Sequence, residues 1–318
     1  MFLILGNAAD PCCVQVNSVL KARGYETRVV EDIFSEQYRF MWRFAAGMSL
    51  GNGNSRIGGL GEREAGGEIE GVLVRETGLH AVSDWSEKDA QYMAAEMQAA
   101  QLGWIWSIPG VVINRLPAWL FLMPRPSFLA WVALLHRAGL RTPDMVISSD
   151  AERLQDWRAR HPNGSIFSPL SSPSHFQVQT ETEWESVKRV SRHAPVLLEE
   201  AHGQTWLACV VGDRVVWDGA VPEEVQALEE RLCNFARIAA LDLVQVAVAE
   251  QPGIEQGKSP AFSVVSVEVL VQFPRFCCEA QTAIAEAIAD LLTGPRKCDG
   301  SQDPVEVGSA AMSYGGAR

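Results

Sequence analysis

The stretch VSVEVLVQFPRF, Val265 to Phe276, with EAQTAIAEAIADLL, Glu279 to Leu292, close behind it, decides the fold. The first part is apolar and rich in valine, as a buried strand requires. It carries one carboxylate, Glu268, to the edge of a sheet. The second part repeats Ala, Ile and Leu at spacings of three and four, the pattern of an amphipathic helix packed behind that strand. Gly294-Pro295 stops the helix.

Upstream of this pair, residues 243–249 and 262–270 read as strands. Pro222 opens a helix to about residue 240. Residues 206–211 and 214–217 flank Gly212-Asp213 as a hairpin. In the middle of the chain, residues 164–170 and 176–180 read as an antiparallel pair joined by Ser171-Ser172-Pro173-Ser174. A strand at 145–147 and a Ser/Asp-capped helix near 151–159 precede it. Before these, Pro126 sits at a helix N1 position and Gly139 lies past that helix's end.

The N-terminal third opens with a strand at 2–5, a helix at 14–23 ending at Gly24, and a strand at 26–30. Such a β-α-β start predicts a parallel sheet. Its first turn, Gly6-Asn7-Ala8-Ala9-Asp10, holds one glycine, so the dinucleotide fingerprint is excluded. Residues 47–71 are glycine-rich but contain no Gly-Lys-Ser/Thr, which excludes a P-loop and predicts loops and a small hairpin before a strand at 71–75. Ser86, three residues before Asp89, caps a long helix to about Trp106. Its Tyr92, Met93, Met97 and Leu102 are expected to form a core stripe. A strand at 111–113 leads into Asn114-Arg115. Together these elements predict an α/β domain over 1–117, α+β subdomains over 118–194 and 195–293 that flank a cleft, and a mobile tail over 294–318.

The composition narrows the function. The formal net charge is −12, and nucleic-acid affinity rests on many Lys and Arg contacts, so a nucleic-acid role is not expected. The longest apolar stretches, 117–123 and 128–135, fall short of a membrane span. The N-terminus lacks the basic region of a signal peptide. A cytoplasmic protein without a membrane partner is expected. The seven cysteines include two adjacent pairs, Cys12-Cys13 and Cys277-Cys278, and no C-x-x-C, so reduced thiols are expected rather than a disulfide framework or a zinc site.

The order of elements resembles the ATP-grasp superfamily, and within it the glutathione synthetase and RimK-like ligases, including peptide-maturing members. Three stretches carry the resemblance. VVINRLPAW with RPSFLAWVALLHRAGLRTPDMVISSD, within residues 111–150, looks like the family's N-R-P segment, A-G-L helix end and P-x-x-x-x-T/S-x-D strand. PVLLEEAHGQTWLACVVGDRVV, residues 195–216, is similar to its Q-E-Y-I-x-G and R-V-x-V-V-G-D hairpin. The strand and helix of the opening match its E-V-N-P end.

The resemblance implies an ATP-dependent ligase that joins a carboxylate to an amine through an acyl-phosphate. It also implies a set of site positions. The phosphate-contacting lysine aligns with Ser168, the arginine of the hairpin with Leu207, the metal-binding aspartate with Ala247, and the asparagine of E-V-N-P with Leu270. Glu268 alone matches, as the remaining metal candidate. Glu199 and Glu200 align with the linker that faces adenine. Arg125 lies near the first ATP-contacting lysine and is a candidate substitute cation. Arg75 and Arg115 follow apolar strands at the end of the sheet where open α/β folds bind ligands.

These departures have a physical cost. Phosphoryl transfer is catalysed by positioning and by cationic stabilisation, and one well-placed electrostatic group is worth about 10²- to 10³-fold in rate. The sequence reading is therefore an ATP-grasp-fold protein that has lost ligase activity, with no catalytic residues and no cofactor. It would serve as a binding, scaffolding or regulatory protein for a protein or peptide partner, and could form a homo-oligomer. The alternative is a divergent carboxylate–amine ligase that uses ATP and magnesium.

Overall fold

The computed structural model describes residues 1–35, 38–43, 54–59, 69–75, 86–115, 128–170, 175–251 and 261–294. Arg125, the turn 171–174 and the tail 295–318 lie outside the described residues, as does much of the glycine-rich stretch.

The N-terminal unit runs β1 (Phe2–Leu5), α1 (Pro11–Ala22), β2 (Thr27–Val30), β3 (Tyr38–Arg43), β4 (Asn54–Gly59), β5 (Gly71–Val74), α2 (Glu87–Ser107) and β6 (Val111–Ile113). Strands β2-β1-β5-β6 form the parallel sheet. Strands β3 and β4 pair antiparallel by themselves. Helix α1 starts at Pro11, earlier than expected: the Asp10 carboxylate accepts the Cys12 N–H at 2.8 Å, and Pro11 has no N–H to leave unsatisfied.

The expected stripe on α2 is not core. Tyr92 is 66% exposed, and Met93, Met97 and Leu102 are half-buried. Gln101, Trp104 and Ile105 are the buried residues. Only the C-terminal part of the helix lies on the sheet, where Trp104 and Ile105 pack with Leu3, Leu5, Val72 and Val112.

The central unit runs α3 (Leu129–Arg137), β7 (Met145–Ser148), α4 (Ala151–Arg160), β8 (Ser165–Ser168), β9 (Phe176–Val178), α5 (Glu181–Ser191) and β10 (Val196–Glu200). Its sheet, β7-β10-β8-β9, is antiparallel. A full capping box between Thr180 and Glu183 starts α5. One face of the sheet (Val146, Phe167, Val178, Val196, Leu198) packs on Leu154 and Trp157 of α4 and on Trp184 and Val187 of α5. Side chains alternate along a strand, so Ile166, Ser168, Leu197 and Glu199 stand on the opposite face.

The C-terminal unit runs β11 (Thr205–Val211), β12 (Arg214–Trp217), α6 (Glu223–Gln226), α7 (Glu229–Ile238), β13 (Leu243–Glu250), β14 (Phe262–Glu268), a 3-10 turn (Phe273–Arg275) and α8 (Cys278–Thr293). The single helix expected from Pro222 is divided at residues 227–228, where Leu228 N–H bonds back three residues to Val225. The antiparallel sheet is ordered β12-β11-β13-β14. Val244, Val246 and Val248 of β13 pack against Trp131 and Leu135 of α3 and Leu232 and Phe235 of α7. On the other face Leu243 joins the core shared by α1, α8 and the parallel sheet.

Two polar joints tie the N-terminal and C-terminal units together. Asn114, at φ +52° just past β6, is buried. Its side chain donates to Leu243 O at 2.7 Å and accepts from Asp242 N at 3.0 Å and Leu243 N at 2.8 Å. Arg75, just past β5, donates to the Asp10 carboxylate at 2.9 and 3.1 Å and to Val271 O at 3.0 Å.

Removing the Asn114 side chain leaves three buried backbone groups without partners, and an orphaned buried group costs about 1–3 kcal/mol. Asn114→Ala should lose about 3 kcal/mol or more in urea unfolding. Asn114→Gly, which tolerates the positive φ, should recover only the backbone part of that loss. Near-wild-type stability for the alanine variant would show that the joint is dispensable.

Candidate functional site

The site is built by two sheet faces. On the C-terminal sheet Leu207 of β11 lies directly opposite Ala247 of β13, and Gln245 of β13 lies opposite Glu268 of β14. Leu207, Ala247, Ala249 and Val265 form a small apolar cluster. On the central sheet Ser168 of β8 pairs with Leu197 of β10, and Glu199 follows two residues later on the same face.

His175, at the entry to β9, connects the two faces. Its Nδ1 lies 2.8 Å from the Ser168 hydroxyl, and it feels the charge of Glu268 on the facing unit. Burial pushes the imidazole below its ordinary pKa, against the pull of Glu268, so it is neutral at neutral pH. Nothing in the spacing of the sequence marked His175: it stands alone in S-P-S-H-F, and its role depends on β8 and β9 pairing antiparallel.

Glu199 is 2% exposed, and its Oε1 has no hydrogen-bond partner. Burial raises its pKa above the ordinary carboxyl value. A bond from the Ser168 hydroxyl and the proximity of His202 pull it down by less. Burial thus disfavours the ionised form of this carboxyl, because it is cut off from water.

The other sequence-chosen residues divide. Glu200 follows Glu199 on β10, so its side chain alternates to the other face and does not join Ser168. Arg115 closes the end of α2, donating to Trp106 O and Ile108 O at 2.8 Å and to Gly110 O at 3.2 Å. Arg75 is occupied by the joint described above. Both arginines are structural. Arg125 lies outside the described residues.

Magnesium needs hard oxygen ligands in near-octahedral order, commonly one or two carboxylates with phosphate oxygens and water. Glu268 is flanked by Ala247 and Leu270, which offer no side-chain ligand. The amide oxygen of Gln245 is already taken by Gln272 N–H at 2.8 Å. Among the described residues no group of three His, Cys, Asp or Glu could hold a metal ion. These residues do not fit a magnesium site built by the protein. The uncharged pair Ser168 and Leu207 likewise offers no cation to a polyphosphate.

Glu199 has a measurable consequence. Its folded pKa is raised, so the folded state holds the proton more tightly than the unfolded chain. Its contribution to stability is complete below the unfolded pKa and is lost as pH rises toward the folded value. Glu199→Gln removes this dependence. Unfolding from pH 4.5 upward should show the variant gaining on wild type with rising pH and then levelling off. A difference independent of pH would show that the buried carboxyl is not protonated.

No family model matches the chain, and no curated protein matches it in sequence. Solved structures do match. A RiPP-associated ATP-grasp ligase from Chryseobacterium gregarium, in complex with ADP and a leader and core peptide, aligns at TM-score 0.70 and 14% identity, over 93% of this chain and 97% of that one. The ATP-grasp ligase PsnB, complexed with a phosphomimetic variant of its minimal precursor, Mg and ADP, aligns at 0.68 and 16% identity, over 92% and 97%. The macrocyclase MdnC from Microcystis aeruginosa MRC, bound with precursor peptide MdnA, aligns at 0.69 and 14% identity, over 92% and 99%. At these identities the likeness shows the fold. This chain has the ATP-grasp architecture, with its parallel sheet and two antiparallel sheets in the same arrangement.

Proposed function

We propose that this ATP-grasp chain is a divergent ATP-dependent carboxylate–amine ligase acting on a peptide. The observation that carries the reading is whole-length likeness. The architecture aligns from end to end with ligases whose structures contain ADP and precursor or leader peptides. The cleft keeps Glu268 and Glu199 on facing sheets, with His175 between them. The missing positive charge then comes from outside the cleft's described residues, and Arg125 is one candidate.

A second reading is favoured by a specific observation. Ser168, Leu207, Ala247 and Leu270 put uncharged side chains at four positions where the resemblance implies charged or amide groups. On that reading the chain binds a peptide without joining anything to it, as a scaffold or regulatory protein.

One experiment separates the two. The protein is incubated with MgATP and a pool of synthetic peptides carrying Asp or Glu together with Lys, Ser or Thr. ADP release and peptide mass are followed together. The ligase reading expects ADP release that depends on peptide, with loss of one water from a peptide, and both should vanish in Glu268→Gln. Absence of ADP release and of any mass change, with a melting temperature unmoved by MgATP, would overturn it in favour of the scaffold.

A further inference from the structure

We propose that Glu199 and Ser168 form a receptor for a basic side chain, a lysine-type ammonium delivered by the peptide partner. This deepens the ligase reading, on which it rests for the partner's identity. The argument begins with Glu199. A carboxyl 2% exposed with one oxygen unpartnered is an unsatisfied acceptor, and such a group destabilises the fold unless something completes it. It stands on the sheet face opposite α4 and α5, with Met145 and Ile166 directly across the strands and the Ser168 hydroxyl bonded to its carboxyl from the diagonal position.

The groups around Glu199 set the sign of the ligand's charge. Ser168 is neutral. His175, bonded to Ser168, is held neutral at neutral pH, and Glu268 lies on its far side. His202, just past β10, offers Glu199 a weak attraction. Leu207 and Ala247 on the facing sheet carry no charge. An arriving cation therefore meets the Glu199 carboxyl with neutral Ser168 and His175 beside it.

An ammonium donates three hydrogen bonds and pairs with an ionised carboxylate. Its arrival turns Glu199 from a buried acid into one half of an ion pair. Burial raises the pKa of Glu199 and an ammonium beside it lowers it, so forming the pair drives proton release to solvent. In the complex the ammonium stands beside Ser168, a position the resemblance assigns to a lysine. The partner then places a positive charge beside Ser168.

The test needs no nucleotide and so is separable from the ligase assay. The full-length protein is titrated by calorimetry with N-acetyl-lysine amide and with its uncharged norleucine counterpart, in buffers of different ionisation enthalpy. Wild type should bind the lysine compound saturably with net proton release and should ignore the norleucine compound. Glu199→Gln should weaken binding at least tenfold. Ser168→Lys, which places an ammonium on the chain itself, should block binding and raise the melting temperature. That rise shows that the variant folds and that its new charge has found Glu199. Absence of lysine binding in wild type, equal binding of both compounds, or affinity unchanged in both variants would overturn the proposal. Lysine binding without peptide ligation would leave it standing and would remove the ligase reading instead.

Discussion

Strand β13 is buried along seven of its eight residues, on both faces, and the arrangement of the molecule depends on that double burial. One face packs under α3 and α7, while on the other Leu243 joins the core of α8 and the N-terminal sheet and Ala247 and Ala249 cluster with Val265. An apolar strand covered from both sides is held firmly in register, because a slip by one residue would exchange every side chain between two packed cores. Asn114 then attaches β6 to the start of the same strand through three hydrogen bonds. Gln245 and Ala247 of the cleft floor are therefore placed by forces that have nothing to do with a ligand.

This separation means that the backbone arrangement does not depend on which side chains line the cleft. Backbone geometry comes from valine, leucine and tryptophan packing distributed over several cores. The chemistry of the cleft resides in a few side chains at strand positions 168, 207, 247 and 268. Leu207 and Ala247, on a face lined by Val265 and Ala249, add apolar contact there. A fold does not by itself fix a function, and function has to be argued from the site.

Much of the fold was legible in the sequence because its signals were local. The Gly212-Asp213 hairpin, the valine-rich strands and the Ala/Ile helix of the C-terminal unit each need only neighbouring residues to be read. Two failures have different causes. The stripe on α2 was read as core from its spacing, but whether a helical face is buried depends on how far the sheet beneath it extends. Here the sheet covers only the end that carries Trp104 and Ile105. Helix α1 began early because Asp10-Pro11 is a capping signal outside the apolar repeat.

Ser168, Glu199 and Glu268 could be singled out from the sequence, but their arrangement could not. His175 gains its place only when β8 and β9 pair, and Arg75 and Arg115 lose theirs only when their guanidinium groups are seen to be spent on carbonyls and on Asp10. In sequence an arginine after a strand looks available. In the structure the same geometry that brings it to the sheet's end also brings it unsatisfied backbone acceptors, and a buried carbonyl competes for it with any ligand. Glu199 is the converse case. Its sequence context, two glutamates before Ala201-His202, looks like a solvated turn, yet the strand extends through it and turns its carboxyl away from water. A buried acid that the fold itself leaves incomplete is better evidence of an external partner than an arginine that the fold has already satisfied.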